Sequence, residues 1–247
     1  EYKTAEFYES FFKEKGFKVS SGLADMPTAF IAEWGSGKPV VGFLGEFDAL
    51  PTLSQEASCP EKKPIVPGAY GQGCGHNSLG AGAAGAALAF RDYLEENHLS
   101  GTVRFYGCPG EEYGSGKVFM ARAGLYDDLD VCLTWHPGDM NKVSTTSSLA
   151  NISVMFTFNG VSAHAAANPY LGRSALDAVE LMNIGVQFLR EHMPDSARIH
   201  YSITDAGGDS PNVVQPKAQV LYMVRSIWVK DALELQERVD RIALAAS

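Results

Sequence analysis

Five side chains able to hold a metal ion, or to work beside one, flank apolar runs in this sequence: Cys74 and His76 just ahead of an Ala-rich run, and Glu111, Glu112 and His136 just after others. Thiolate, imidazole and carboxylate are the ligand set of zinc and neighbouring divalent ions. Cys74 and His76 lie in Gly-Gln-Gly-Cys-Gly-His-Asn, whose glycines let backbone and side chains close on a common ion. Glu111 and Glu112 follow Thr102–Tyr106, His136 follows Val131–Leu133, and a further pair, Glu46 and Asp48, follows Val40–Leu44. Singly, each is a weak signal, since a histidine before proline usually sits on the surface and paired glutamates usually make a solvated turn. Jointly they carry more weight, because open α/β sheets collect ligands beyond the carboxyl ends of their strands. Adjacent carboxylates suit metal-assisted hydrolysis: one binds the ion, and its unligated neighbour removes a proton from water that the ion has made acidic. Glu111 and Glu112 fit those two roles.

The elements that must position these residues follow from hydrophobic periodicity. Tyr2, Phe7, Phe11 and Phe12 fall at helical spacings, and Gly16 stands where a helix stop belongs. Apolar runs at Thr28–Glu33, Val40–Leu44, Thr102–Tyr106 and Val131–Trp135 read as strands, separated by an Ala-rich helix over Leu79–Glu95 and a shorter one near Lys117–Ala123. Strands alternating with helices predict an α/β layer structure with a mostly parallel sheet. After a small, polar stretch at Asn141–Ser148 the pattern changes to strand Asn151–Phe158, helix Ser174–Glu191, strand Arg198–Thr204, strand Gln219–Trp228 and helix Asp231–Leu244. That β-α-β-β-α order reads as a ferredoxin-like α+β unit without its last strand. The expected domains are 1–145 and 146–247.

A formal net charge of −9, with no dense Lys/Arg run, argues against nucleic acid or an anionic membrane as partner. No apolar stretch approaches the ~20 residues that span a bilayer. Four cysteines are too few for a disulfide scaffold, so a reducing, cytoplasmic setting is the default. The sequence begins at Glu1 rather than Met, so an export signal ahead of it is not addressed by these residues.

Read in order, Gly-Glu-Phe-Asp-Ala-Leu-Pro, Gly-Cys-Gly-His, Gly-Glu-Glu, Trp-His-Pro and Ala-His-Ala-Ala-Ala-Asn-Pro resemble the successive motifs of the aminoacylase and carboxypeptidase G metallopeptidases. They are closest to the amidohydrolase branch, where Cys-Gly-His supplies ligands. Phe-Tyr-Gly-Cys-Pro-Gly-Glu-Glu, Leu-Gly-Arg-Ser-Ala-Leu-Asp-Ala-Val and Ser-Pro-Asn-Val-Val-Gln narrow the likeness to hydrolases of p-aminobenzoyl-glutamate. The resemblance implies metal ligands at Cys74, His76, Glu112 and His136, Glu111 as general base, Asp48 orienting a ligand, and two divalent ions, zinc or manganese. It implies that the second unit is an inserted lid and dimerisation domain. There His164 would hydrogen-bond the developing oxyanion, often in the neighbouring subunit, while Asn212 and Arg225 would hold the substrate's α-carboxylate, the latter through its planar two-pronged guanidinium.

The implied reaction is hydrolysis of the amide bond of an N-acyl or N-aroyl amino acid, with p-aminobenzoyl-glutamate as the first substrate to try. Alternatives are an aminoacylase, hippurate-type hydrolase or dipeptidase of the same family, or a non-catalytic metal-binding subunit. The expected assembly is a homodimer through the lid, or a pairing with a related subunit. Two departures stand out. Asn77 follows His76 where much of the branch has Asp, and the family's last metal-binding His and remaining strands are expected beyond Ser247, so that residues 1–247 alone would have little activity. His98, His192 and His200 match no such ligand.

Overall fold

The aromatic residues at the start of the chain do form a helix, α1 (Tyr2–Glu14), which buries Ala5, Tyr8 and Phe12 and leaves Phe7 facing solvent. A computed structural model describes all of residues 1–247, and the chain forms two units, Glu1–Lys142 and Val143–Ser247. In the first unit α1 is followed by β1 (Lys18–Ser21), β2 (Phe30–Ser36), β3 (Val40–Glu46), α2 (His76–Glu96), β4 (Gly101–Cys108), α3 (Glu111–Gly114), α4 (Gly116–Arg122) and β5 (Val131–Leu133). The five strands make one sheet in the order β1-β2-β4-β3-β5.

This sheet is mixed, which corrects the expectation of a mostly parallel one. β3 runs parallel to β4 and β5, but β2 runs antiparallel to β1 and to β4. Parallel neighbours need a crossover of a dozen or more residues, which α2 supplies between β3 and β4. The link from β2 to β3 is only Gly37–Pro39, too short for any crossover, so β2 must run opposite to β3. β1 escapes the periodicity argument because Lys-Val-Ser-Ser is short and leaves no side chain buried.

β3 is buried along its whole length and β4 nearly so, as expected of central strands covered on both faces. One face packs Phe12, Phe43, Phe47, Phe105, Ala83, Ala84 and Ala87 against α1 and α2, and the other packs Leu44, Tyr106, Cys108 and Met120 beneath α4. Small residues set the approach of α2. A Cβ at Gly80 would meet the Glu46 carbonyl oxygen and the Tyr8 hydroxyl, each at 2.8 Å, so only glycine lets the helix lie this close to the end of β3.

The second unit holds β6 (Ala150–Asn159), α5 (Ala175–Arg190), β7 (Arg198–Asp205), β8 (Lys217–Ser226) and α6 (Val229–Ala246). Its sheet is antiparallel throughout, in the order β6-β8-β7. β8 alternates strictly: Ala218, Val220, Tyr222 and Val224 are buried, and Gln219, Leu221, Met223 and Arg225 are less so. The buried set packs with Val179, Met182 and Val186 of α5 and Leu235, Val239 and Ala243 of α6, so both helices cover the same face. Ser174 caps α5 by accepting the Asp177 N–H, which satisfies one of the free amides of the first turn. Inside this core the Tyr222 hydroxyl donates to Asn183 Oδ1 at 2.6 Å.

Candidate metal centre

The end of β3, the start of α2, the turn after β4 and the segment after β5 bring their side chains to one place in the first unit. His76 is the first residue of α2 rather than part of the preceding loop, and it is 1 % exposed. Gly75 makes the turn into the helix with φ 81°, a left-handed conformation that side-chain-bearing residues adopt at a cost, and a Cβ there would crowd Pro137 at 3.0 Å. Glu111 and Glu112 open α3, entered through Gly110 at φ 60°. His136 is set by its neighbour: the Trp135 indole N–H donates to the Leu79 carbonyl at 3.0 Å and so ties this segment to α2.

The hydrogen bonds assign the histidine tautomers. Asp48 Oδ1 accepts the His76 Nδ1–H at 2.7 Å, which turns Nε2 toward Glu46, Glu111 and Glu112. The other oxygen, Oδ2, accepts the Glu112 backbone N–H at 2.9 Å, so Asp48 ties the start of α2 to the start of α3. His136 Nδ1 donates to the Pro137 carbonyl at 3.1 Å and turns its Nε2 to within 3.2 Å of Cys74 Sγ. His76 Nε2 lies 3.9 Å from Glu111 Oε2 and 3.9 Å from Glu112 Oε1. Cys74, His76, Glu111, Glu112 and His136 are therefore gathered, with Asp48 behind His76.

Two groups of potential donor atoms result, Cys74 with His76 and His136, and Glu46 with His76 and Glu111, each spanning no more than 4.8 Å. Glu46 Oε2, His76 Nε2 and Glu112 Oε1 are buried and without a hydrogen-bond partner. Buried polar atoms are normally satisfied, and leaving one bare costs roughly 1–3 kcal/mol, more when it is charged. Three bare acceptors converging beside a thiol are the donor set of a divalent cation, so the residues fit a metal ion well.

The electrostatics agree. The Cys74 thiol is pushed up to about 11, first by burial, then by its hydrogen bond to Glu112 and by the charges of Glu112, Glu111 and Glu46. The Glu111 carboxyl is raised by burial and by Glu46, with Lys117 opposing the shift. Negative charge accumulates here faster than Lys117 alone offsets it.

Glu46 and Lys117 are the residues to which the sequence reading attached no role. Glu46 ends a buried strand two positions before Asp48, a placement that signals a shared face. Lys117, which donates to Glu46 Oε1, lies in α4, and nothing in Gly-Lys-Val-Phe-Met distinguishes it from a surface lysine. Asn77 is exposed, and its backbone N–H donates to Gln72 Oε1; the orienting contact to His76 comes from Asp48.

In the second unit His164 and Asn212 meet. His164 Nδ1 accepts the N–H groups of Ala166 at 3.3 Å and Ala167 at 3.1 Å, and its Nε2 lies 3.2 Å from Asn212 Nδ2; a ring proton on Nε2 goes with an Asn212 amide turned so that its oxygen faces the ring. Arg225 is elsewhere. It lies near the end of β8, where its Nε donates to His200 Nε2 at 3.2 Å. Val213, bridged to His164, precedes the start of that strand. At about 3.4 Å per residue the length of β8 puts roughly 25 Å or more between them.

A model of peptidase family M20/M25/M40 matches residues 42–232. The chain is 51% identical over 247 residues to a p-aminobenzoyl-glutamate hydrolase chain of Escherichia coli (strain K12), an alignment that covers 100% of this chain and 51% of that protein. It is 32% identical over 231 residues to the Xaa-Arg dipeptidase of Mus musculus, covering 90% of this chain and 49% of that protein. The chain thus spans about half the length of the curated relatives it matches. Among solved structures, a dinuclear metal-binding peptidase of the M20 family from Bacillus subtilis shares the fold, with a TM-score of 0.63 at 22% identity over 99% of this chain and 64% of that one.

Proposed function

The chain belongs to peptidase family M20/M25/M40, and from that premise we propose that the protein hydrolyses the amide bond of an N-acyl or N-aroyl amino acid, p-aminobenzoyl-glutamate first among them. The observation that carries this is the convergence of the unpartnered Glu46 Oε2, His76 Nε2 and Glu112 Oε1 on one spot beside Cys74 and His136. Cys74, His76, Glu112 and His136 would hold two divalent ions, zinc or manganese. Such ions supply Lewis acidity, polarising a carbonyl and lowering the pKa of water from ~15.7 toward about 7.

Glu111 is the more exposed of the two adjacent glutamates, so it is free to meet water while Glu112 faces inward. Its role is that of general base: it takes the proton of the attacking water and returns it to the leaving amine. Burial and the Glu46 charge make it a stronger base than an ordinary carboxylate. Asp48 keeps the His76 proton on Nδ1 and holds the Glu111–Glu112 turn in place.

The second unit is read as a ferredoxin-like lid that also dimerises, pairing either with a second copy of this chain or with a related subunit. His164 presents Nε2–H, a donor suited to a developing oxyanion. Asn212 and Arg225 are assigned to the substrate carboxylate; being at opposite ends of β8, they reach one carboxylate only if two copies of the lid contribute. Dipeptidase specificity is the second reading, favoured by the 32% identity to the Xaa-Arg dipeptidase. The test is hydrolysis of p-aminobenzoyl-glutamate and of Xaa-Arg dipeptides by the full-length protein, with and without a chelator and with Glu111→Gln. Loss of turnover in both treatments is expected, and turnover that survives both would remove the mechanism.

A further inference from the structure

Glu46, a residue 7 % exposed, ends β3, and one of its carboxylate oxygens is already engaged, because the Lys117 ammonium donates to Oε1. The other oxygen, Oε2, has no hydrogen-bond partner and lies 3.0 Å from His76 Nε2, which has none either. Asp48 holds the imidazole proton on Nδ1, so the two atoms facing each other are a carboxylate oxygen and a nitrogen lone pair. At 3.0 Å this neutral-imidazole pair repels unless a proton or a cation is shared between the two atoms, and a divalent ion arriving there would take the proton's place. The separation itself fits: oxygen and nitrogen donors about 2.0–2.2 Å from a common ion stand roughly 2.9–3.4 Å apart when they occupy neighbouring coordination positions. Glu111, the general base of the proposed reaction, has a carboxylate oxygen within 4.8 Å of both, near enough to meet water on an ion held there.

We propose that Glu46 is itself a ligand of a divalent ion at this centre, through Oε2, and that Lys117 limits it to that one oxygen by occupying Oε1. This rests on the reading of the site as a metal centre, and it adds a carboxylate that the motif reading leaves without a role. Its chemical consequence is a harder donor set around His76 than Cys74 and His136 provide, favouring manganese over softer ions at that position. Lys117 has a second effect. By neutralising part of the charge of Glu46 it keeps the carboxylate from binding through both oxygens, which leaves coordination room for water or substrate.

The experiment compares the full-length protein with Glu46→Gln and Lys117→Met. Metal content is measured after dialysis, manganese affinity by chelator competition, and the visible spectrum after loading with cobalt(II). Glu46→Gln should lower manganese affinity about tenfold or more, or lose one ion per chain, and should change the cobalt bands. Lys117→Met, which frees the second oxygen, should bind manganese as tightly as the parent or tighter. If Glu46 served only as the ion-pair partner of Lys117, both variants would lose affinity together along with their melting temperatures, and that outcome overturns the proposal. So does a Glu46→Gln protein with parental affinity and unchanged cobalt bands. A parent protein that binds no ion would instead remove the underlying reading of the site.

Discussion

Replacing Asp48 with Asn tests the hinge of the site, because the two carboxylate oxygens serve two donors and an amide can serve only one. Oδ1 takes the His76 Nδ1 proton at 2.7 Å and Oδ2 takes the Glu112 N–H at 2.9 Å, at a residue 6 % exposed. If the new amide NH2 faces His76, the imidazole must accept there, its proton moves to Nε2, and the atom that should meet a metal ion is blocked. If the NH2 faces the Glu112 N–H, two donors oppose each other in a buried place and the Glu111–Glu112 turn shifts. Either way one hydrogen bond to a charged group is lost, worth about 1.5–3 kcal/mol. At about 1.4 kcal/mol per tenfold, that is a drop of roughly 10- to 150-fold in metal affinity, in line with the roughly 10- to 100-fold usual for groups that orient a ligand. Competition with a chromophoric chelator for zinc and manganese measures it, and circular dichroism melting confirms that the ion-free variant is folded. Parental affinity in a folded Asp48→Asn protein would refute the reasoning about tautomer and turn together.

Other consequences can be checked in the same preparations. Burial and the neighbouring carboxylates push the Cys74 thiol up to about 11 in the ion-free protein, so at pH 8 it is protonated and an ion must displace its proton. Calorimetry in buffers of different ionisation heat should then count about one proton released at pH 8, absent in Cys74→Ser, with affinity falling about tenfold per unit decrease in pH from this group; zero release would contradict the assignment. His164→Ala should lower kcat by about 100-fold, the ~3 kcal/mol of a lost oxyanion donor, with little change in KM, and an unchanged kcat would remove His164 from the chemistry. Phe105→Ala empties the centre of the first core and should cost about 3–5 kcal/mol in denaturant unfolding. Tyr222→Phe leaves Asn183 Oδ1 without its 2.6 Å donor and should cost about 1–3 kcal/mol.

What was legible in the sequence, and what was not, has physical causes. Strong period-two and period-3.6 patterns mark the interior of the second unit, where β8 alternates between buried and less buried positions and Ser174 caps α5 one residue from the expected start. That Cys74, His76, Glu111, Glu112 and His136 would gather was legible because they are chemically distinctive residues at the ends of apolar runs. Strand direction was not, because the alternation of strands and helices is silent about a link as short as Gly37–Pro39. His76 as the start of α2 was missed because the Ala-rich pattern becomes periodic only at Leu79, whereas the helix begins where Gly75 can turn. Lys117 was beyond reach, since its partner Glu46 is 71 residues away in the chain and meets it only across the folded sheet. The separation of Arg225 from His164 and Asn212 depends on where they fall along β8, which motif order does not encode.

The position of β4 between β2 and β3 bears on how the centre comes into being. β2 and β3 are joined by so short a link that the quickest contact open to them is with each other, as an ordinary hairpin, yet in the finished sheet they are parted by a strand that arrives later in the chain. Wedging it in closes long loops: Thr102 Oγ1 reaches the Gly37 carbonyl across 65 residues. Such non-local pairing is slow, and a prematurely zipped hairpin would have to open for it to occur. Glu46 and Asp48 emerge from one side of that event and Glu111 and Glu112 from the other, so the donors are brought together only once the wedge strand has docked. In a small zinc finger the ion nucleates the fold, whereas an ion bound at the proposed centre would lock a sheet already built. A nascent chain would therefore complete this non-local pairing before the side chains of the proposed centre meet.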